Sequence, residues 1–404
     1  MWSRSMFALA LVGFVFMSMA AQVTDAPPQS SDLHAVLLKA IEGTQTPAIA
    51  GMALTDGMVT QEAVHGVRRN DGTSPALIGD VWLIGSDAKP MTATLLMKLV
   101  DRGLLSLDAP LADLLPELVS GMHPQYRRVT LRELLSHRSG LPENTSDTEF
   151  ISGFHTDARP MPAQRLAYLA HALDEEPVAA PNAKFSYSNT GFLVAAAIAE
   201  RATGTPYEEL MRREVFEPLG MLSVGYGTTH DGQPTGHVGG RPVSQVEDSN
   251  PLMFAPAGNM HMSMRDWGRF CLDQLAGARG AGRLLRPASY GQMQAAISGG
   301  ASSLGWGVQD TVAGRKGPVL VHSGSDGNWY AAVVLFPETG QGVLVAANAG
   351  PDMGGDKAVM AALLALLPPR QGRPDRRPAI DDDRSTDPAV WQHQPTTVGR
   401  NPTR

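Results

Sequence analysis

The chain has 404 residues, of which 43% are hydrophobic and 18% charged, with a formal net charge of −7. This length and apolar content allow a large buried core and about two domains' worth of chain. Lysine is scarce and no basic stripe occurs, so the composition argues against nucleic acid as a partner.

Residues 1–21 have the composition of a signal peptide. Arg4 supplies a positive charge, residues 6–17 are apolar, and small side chains follow around 18–20. The apolar run is shorter than the roughly 20 residues of a spanning helix. We therefore predict a periplasmic or secreted protein, with no stable membrane insertion after cleavage. An uncleaved N-terminal anchor is the alternative.

Hydrophobic periodicity and turn signals predict helices at both ends of the chain and strands next to them. In chain order, the predicted elements are a helix over 32–43 capped by Ser31, two strands within 48–69 around Asp56-Gly57, a helix from Ser86 to Gly103, helices and loops over 106–299, three strands at 317–324, 328–338 and 340–350, and a helix over 355–367.

This order predicts an α/β (α+β) fold. Strands near both ends favour one antiparallel sheet built from the two ends, flanked by helices, with a mostly helical region inserted between them. We predict one domain over 30–368, with a sheet region (30–105 plus 300–368) and a helical region (106–299). Residues 369–404 are rich in Pro, Arg and Asp, which is typical of a disordered tail.

The stretch IGSDAKPM places Ser86 three residues before Lys89. Pro90 has no N–H, so the helix must begin around Ser86, where the first N–H groups lack partners anyway. Ser86 and Lys89 then share one helix face. Lysine can accept the serine proton if burial lowers its pKa, and residues 82–84 are apolar. Taken alone, this spacing is more often structural than catalytic.

Two later stretches carry further polar groups. Tyr187 and Asn189 point to the same side of an extended segment, where a phenol can move a proton and an amide can orient a carbonyl. The alternative is a packed tyrosine with Asn189 as a helix N-cap. A late strand ends in His322-Ser323-Gly324-Ser325, where Gly324 permits close backbone approach. The alternative is a strand-end histidine without a catalytic role.

The order S-x-x-K, Y-x-N and H-x-G resembles that of class C serine β-lactamases, D-Ala-D-Ala carboxypeptidases, D-aminopeptidases and β-lactamase-like esterases. TLRELLSHRSGLP (130–142) and FAPAGNMHMSMRDWGRF (254–270) are also similar to this family. The likeness covers about residues 30–368 and implies a β-lactamase/transpeptidase-like fold. It implies a serine hydrolase that forms an acyl-enzyme on an ester, an amide or a β-lactam.

The resemblance also implies roles by position. Ser86 would be the nucleophile and Lys89 its base. Tyr187 would be a second base, in phenolate form, and would protonate the leaving group. Asn189 would hold the substrate.

Four further residues complete the predicted site. His322 would take the place of the lysine in the family's K-T-G, followed by Gly324. The N–H groups of Ser86 and Ser325 would form an oxyanion hole. Asn144 faces either the substrate or the loop surface. Because histidine is mostly neutral at pH 7, we expect a small or peptide-like ester or amide substrate before a β-lactam.

Other classes of protein find little support. The sequence has no G-x-S-x-G elbow, no H-E-x-x-H zinc motif and no phosphate-binding glycine loop. We therefore predict neither a metal nor a cofactor. The single cysteine, Cys271, is expected in the core. The rival hypothesis is a catalytically silent relative that binds peptidoglycan or another protein.

Overall fold

The computed structural model describes residues 33–243, 249–297 and 300–369. The predicted signal peptide, the Ser31 cap and the predicted tail after residue 369 lie outside the described residues. Within the described part of the chain, no helix is both long and apolar enough to cross a membrane.

Strands and helices are numbered in chain order over the described residues. The strands are β1 (Ala48–Thr55), β2 (Met58–Gly66), β3 (Val81–Leu83), β4 (Gly225–Tyr226), β5 (His237–Val238), β6 (Arg241–Pro242), β7 (Met260–Ser263), β8 (Gly307–Val312), β9 (Arg315–Ser325), β10 (Tyr330–Phe336) and β11 (Gln341–Ala347). The helices are α1 (Leu33–Ile41), α2 (Lys89–Asp101), α3 (Leu111–Leu114), α4 (Leu131–Leu135), α5 (Thr148–Gly153), α6 (Met161–Ala172), α7 (Asn189–Thr203), α8 (Tyr207–Met211), α9 (Glu217–Leu219), α10 (Ala255–Gly258), α11 (Met264–Ala278), α12 (Pro287–Gln294) and α13 (Gly355–Leu366).

The largest sheet has six strands in the order β2-β1-β11-β10-β9-β8, and all neighbours are antiparallel. Strand β1 pairs with β11, with Ile49 opposite Ala347. The sheet is therefore assembled from both parts of the chain, as the strand order predicted. Strand β8 was not predicted, because it is an edge strand with exposed polar residues at Asp310 and Thr311.

Alternation along the central strands separates two cores. In β10, Ala331, Val333 and Leu335 belong to the large core, which the helices of the inserted region complete. Their neighbours Ala332, Val334 and Phe336 face a smaller core with residues of α1 and α13. Because both faces are covered, the strands read as continuous apolar runs.

The inserted region is mostly helical, and it also contains the short strands β4 to β7. These strands escaped prediction because each has only two to four residues. Strand β7 pairs with β3, with Leu83 opposite His261. This pairing holds in place the strand that leads directly into the turn containing Ser86. The cysteine expected in the core, Cys271, is buried in α11.

A buried ion cluster ties three helices of the inserted region together. Arg165 of α6 has no exposed surface, and its Nη2 lies 2.8 Å from Glu200 Oε1 of α7 and 2.8 Å from Glu208 Oε1 of α8. The guanidinium also donates to the backbone carbonyl of Met253. Removing one partner of such a cluster leaves charge buried without compensation.

We expect Arg165→Met to lower the free energy of unfolding by about 3–5 kcal/mol, because Glu200 and Glu208 lose their buried counter-charge. Urea unfolding measures this difference. Arg201→Met is the matched control, because Arg201 pairs with Glu117 where both side chains are more than 40% exposed. The control should change stability by less than about 1 kcal/mol. Equal effects of the two substitutions would contradict the role given to the cluster.

Candidate active site

A tight turn between β3 and α2 carries the candidate nucleophile. Gly85–Ala88 form one 3-10 turn, and α2 continues from Lys89 with Pro90 in its first turn. The N–H of Lys89 donates to the backbone oxygen of Ser86. Ser86 is 7% exposed and Lys89 is fully buried. The proline thus sets the helix start where the sequence predicted it.

Lys89 is the most connected side chain of the site. Its Nζ lies 3.0 Å from Ser86 Oγ, 2.7 Å from Asn189 Oδ1 and 2.5 Å from the backbone oxygen of Ala257. Burial lowers the pKa of Lys89 to about 7, although Glu143 and Asp87 each act to raise it. A neutral amine keeps two protons for Asn189 and Ala257 and turns its lone pair to the Ser86 hydroxyl.

Tyr187 contacts the other side of the candidate nucleophile. Its hydroxyl donates to Ser86 Oγ at 2.6 Å. Desolvation in the site raises the pKa of Tyr187 above its ordinary value. The raised pKa favours the phenol as the resting form, and the role of Tyr187 as a second base stays a prediction.

His137 fixes the backbone beside Tyr187. Its ring packs against Tyr187 with centroids 4.5 Å apart, and its Nδ1 accepts the Ser188 N–H at 3.0 Å. Burial lowers the pKa of His137 well below its ordinary value, so the ring stays a neutral acceptor.

The N-cap of α7 decides what Asn189 can do. Ser188 is extended and its hydroxyl accepts the Gly191 N–H, so Ser188 caps the helix. Asn189 is then free to use its amide in the site. Its Oδ1 accepts from Lys89, and its Nδ2 donates to Asn144 Oδ1 at 3.2 Å. The structure therefore brings Asn144 and Asn189 together beside Lys89.

Three glycines allow three backbone segments to meet at Ser86. Gly85 adopts a left-handed φ of +55°, and a Cβ there would meet Ser325 N closer than 3.0 Å. A Cβ on Gly324 would also come closer than 3.0 Å to Ile84 O and to Ser86 N. A Cβ on Gly258 would lie 3.1 Å from Ser86 N. The end of β9 and helix α10 thus pack directly against the turn that carries Ser86.

Ser86 opens into a cleft at the protein surface. The cleft is lined by Ser86, Asn144, Ile151, Asn189, Asn250, Phe254, Ala257, Gly258 and Ser325. Four of the predicted site residues are therefore together in it: Ser86, Asn144, Asn189 and Ser325. Lys89 and Tyr187 contact Ser86 from behind and beside the cleft.

Two predicted substrate-binding residues do not line the cleft. Gly324 packs against the Ser86 turn. His322 is buried behind that turn, with Nδ1 at 3.0 Å from Ser323 O and 3.5 Å from Asp87 Oδ1. Burial, with Lys89 nearby, lowers the pKa of His322 to about 3.

Several residues of the site were not predicted. Ile151, Asn250 and Phe254 lie on loops and short helices whose path the sequence does not disclose. Asp87 had a usable signal, since it lies between Ser86 and Lys89 in the S-x-x-K motif. No group of three or more potential metal ligands occurs among the described residues.

Comparison with known proteins places the chain in a family with this fold. A model of the Beta-lactamase family matches residues 34–367. Penicillin-binding protein 4 of Amycolatopsis lactamdurans is 29% identical over 75% of this chain and 81% of its own length. Esterase EstB of Burkholderia gladioli is 29% identical over 52% of this chain and 57% of its own length.

A solved structure extends the agreement to the fold. The class C β-lactamase from Rhodobacter sphaeroides superimposes with a TM-score of 0.66 and 20% identity, covering 83% of this chain and 98% of that one. The fold and the Ser86 constellation together define a serine hydrolase with a β-lactamase/transpeptidase-like fold. The chain belongs to the Beta-lactamase family.

We expect Gly324→Ala to push β9 away from the Ser86 turn, because the added Cβ has no room beside Ile84 O and Ser86 N. The variant should lower the melting temperature and slow covalent labelling of the protein by a fluorophosphonate. Gly291→Ala is the control, because a Cβ there meets nothing within 4 Å on helix α12. Normal labelling of the Gly324 variant would contradict the close packing at Ser86.

Proposed function

We propose that the protein is an exported serine hydrolase that cleaves an ester or a peptide-like amide through an acyl-enzyme on Ser86. One observation carries the proposal. Ser86 Oγ lies at a cleft and within hydrogen-bond distance of both Lys89 Nζ (3.0 Å) and the Tyr187 hydroxyl (2.6 Å). The oxygen of the proposed nucleophile thus contacts both the proposed base, Lys89, and the proposed proton donor, Tyr187.

Acylation begins with the neutral amine of Lys89. The amine takes the Ser86 proton as Oγ adds to the substrate carbonyl, and the N–H groups of Ser86 and Ser325 receive the developing oxyanion. The pKa of about 7 makes a substantial neutral fraction available near neutral pH. The backbone oxygen of Ala257 and the amide of Asn189 hold the resulting ammonium.

Tyr187 serves the leaving group. Its phenol, kept protonated by the raised pKa, gives a proton to the departing oxygen or nitrogen as the carbonyl bond breaks. The ammonium of Lys89 then gives the former Ser86 proton to the phenolate that this transfer leaves on Tyr187, which restores the neutral amine and the phenol. Deacylation runs the same transfers in reverse, with water in place of the leaving group.

The lining of the cleft favours an uncharged substrate. Its polar members are hydroxyls and amides, and Ile151 and Phe254 add an apolar wall. No lining side chain in the described part of the chain is charged. His322 adds no charge, since its pKa of about 3 keeps it neutral. A carboxylate on the substrate would therefore enter without an ionic partner, which costs free energy.

A β-lactam or D-Ala-D-Ala peptide is the second candidate substrate. The likeness to penicillin-binding protein 4 favours it. Such substrates carry a carboxylate, for which the described side chains of the lining offer hydroxyl and amide donors and no positive charge. Esters and neutral amides therefore come first in the proposal, in line with the likeness to esterase EstB.

Export rests on the sequence of the first 21 residues. The charged, apolar and small-residue order there is that of a cleavable signal. The mature protein would then act in the periplasm or outside the cell.

Covalent labelling tests the nucleophile. We expect the intact mass of the mature protein to gain one fluorophosphonate adduct, and Ser86→Ala to gain none, because the other described serines lack the Lys89 contact. Ser152→Ala, an exposed serine of α5, is the control and should label normally. An unlabelled wild-type protein would favour the silent binding relative.

Substrate charge tests the class of substrate. We expect a higher kcat/KM for the p-nitrophenyl ester of a neutral short acyl group than for its carboxylate-bearing counterpart, because none of the described side chains that line the cleft is positively charged. A chromogenic cephalosporin should react more slowly than the neutral ester. A higher kcat/KM for the carboxylate-bearing ester or for the cephalosporin would instead favour a β-lactam or a D-Ala-D-Ala peptide as the substrate.

A further inference from the structure

Tyr168 of α6 is fully buried and does not line the cleft, and the mechanism above gives it no role. Its hydroxyl accepts the Thr145 N–H at 3.1 Å and lies 2.9 Å from Thr190 Oγ1. Each of these partners directly follows an asparagine that lines the cleft, Asn144 in the first case and Asn189 in the second. One hydroxyl group thus bonds to the chain beside both asparagines.

The direction of these hydrogen bonds follows from their donors. Because the Thr145 N–H can only donate, the Tyr168 hydroxyl accepts it and has its own proton for Thr190 Oγ1. The Thr190 hydroxyl in turn donates to the backbone oxygen of Glu143 at 3.4 Å. Burial raises the pKa of Tyr168 to about 12, so the hydroxyl keeps the proton that this arrangement needs.

Asn144 is held on both sides as a result. On one side, two N–H groups in the first turn of α7 donate to Glu143 O at 2.9 and 3.1 Å. On the other side, the Thr145 N–H is bonded to Tyr168. The amide of Asn144 then meets the amide of Asn189 at 3.2 Å. Two anchors of the backbone, one of them made by Tyr168, therefore set the distance between these two cleft amides.

Glu175, in the turn after α6, holds the same segment from a partly exposed position. Its Oε1 accepts from the Thr145 hydroxyl and from the Ser146 N–H and hydroxyl, the last two at 3.1 and 3.2 Å. The chain continues from this segment into α5, which carries Ile151 of the cleft lining. Tyr168 and Glu175 thus fix, from two directions, a stretch that carries two cleft-lining residues.

We propose that Tyr168 is a positioning residue of the active site, which holds Asn144 against Asn189 and so sets the affinity for the substrate, with Glu175 as a second hold on the same segment. The inference rests on the proposed function, in which the cleft binds the substrate. Because Tyr168 does not line the cleft, it acts on substrate binding through Asn144 and leaves the proton transfers at Ser86 in place.

Steady-state kinetics of Tyr168→Phe test the inference. The substitution removes the hydroxyl and keeps the ring, which packs edge-to-face against Phe254 of the cleft lining. With the p-nitrophenyl ester of N-acetylglycine, an uncharged substrate whose amide can bond to the cleft amides, we expect KM to rise about threefold or more. The value of kcat, and the rate at which a fluorophosphonate without an amide labels Ser86, should change by less than about twofold, because Lys89 and Tyr187 keep their contacts. An unchanged KM overturns the inference.

Two comparisons separate positioning from a general loss of stability. Tyr290→Phe is the matched control and should leave KM unchanged, since it also removes a buried tyrosine hydroxyl, one bonded to Asp273 and Leu284, neither of which lines the cleft. The second comparison is a double-mutant cycle with Asn144→Ala. If Tyr168 acts through Asn144, Tyr168→Phe should raise KM by less than about 1.5-fold in the Asn144→Ala background. Independent effects of the two substitutions, or a wild-type KM in Asn144→Ala, would overturn the inference.

Further readouts keep the test decisive if a variant or the activity fails. Should Tyr168→Phe not fold, Glu175→Ala takes its place, because it releases the same segment, and an unchanged KM again overturns the inference. Should the wild type take no label on Ser86 and turn over no ester, the proposed function fails. Hydrogen exchange measured by mass spectrometry over residues 143–147 then tests the hold alone. Faster exchange in Tyr168→Phe than in Tyr290→Phe supports the hold, and equal exchange overturns it.

Discussion

The active-site end of the molecule depends on the burial of one amine. Lys89 is fully buried, and its acceptors come from three parts of the chain: Ser86 in the preceding turn, Asn189 at the start of α7 and Ala257 in α10. A buried amine without such partners is strongly disfavoured. The group proposed as the base therefore also holds together the elements that form the cleft. Thr92, one turn further along α2, reinforces this arrangement through the carbonyl of Pro256.

The sheet reaches the same place through backbone contact. Gly85 and Gly324 let the end of β9 touch the Ser86 turn, and no larger residue fits there. Strand β9 arrives at this position because β1 pairs with β11, followed in the sheet by β10 and β9. The pairing of the two ends of the domain thus positions the N–H group of Ser325 in the proposed oxyanion hole. This dependence links the stability of the sheet to the geometry of the site.

Charge is distributed unevenly around Ser86. The titratable groups of Lys89 and Asp87 are buried at the turn, whereas the side chains that line the cleft are neutral in the described part of the chain. Charges behind the turn act on the proton of Ser86 with little screening by water. A neutral lining leaves selection of the substrate to shape and to amide and hydroxyl contacts. Under the proposed function, reactivity and specificity are therefore controlled by different residues.

The sequence by itself determined the local features of this protein. Pro90 placed the helix start at Ser86, Asp56-Gly57 placed the hairpin, and alternating apolar runs identified the late strands. These features depend on the backbone chemistry of neighbouring residues, so a single sequence contains them. The order of the motifs also indicated the family, together with most residues that meet at Ser86.

Only the tertiary structure decided what surrounds those residues. Ser188 rather than Asn189 caps α7, Tyr187 is a phenol, and His322 faces Asp87 instead of the cleft. Strand β8 and the short strands β4 to β7 were likewise identified only from the strands with which they pair in the structure. Burial, pairing and pKa depend on groups that are distant in the chain, and the spacing of residues along one strand or helix does not contain them.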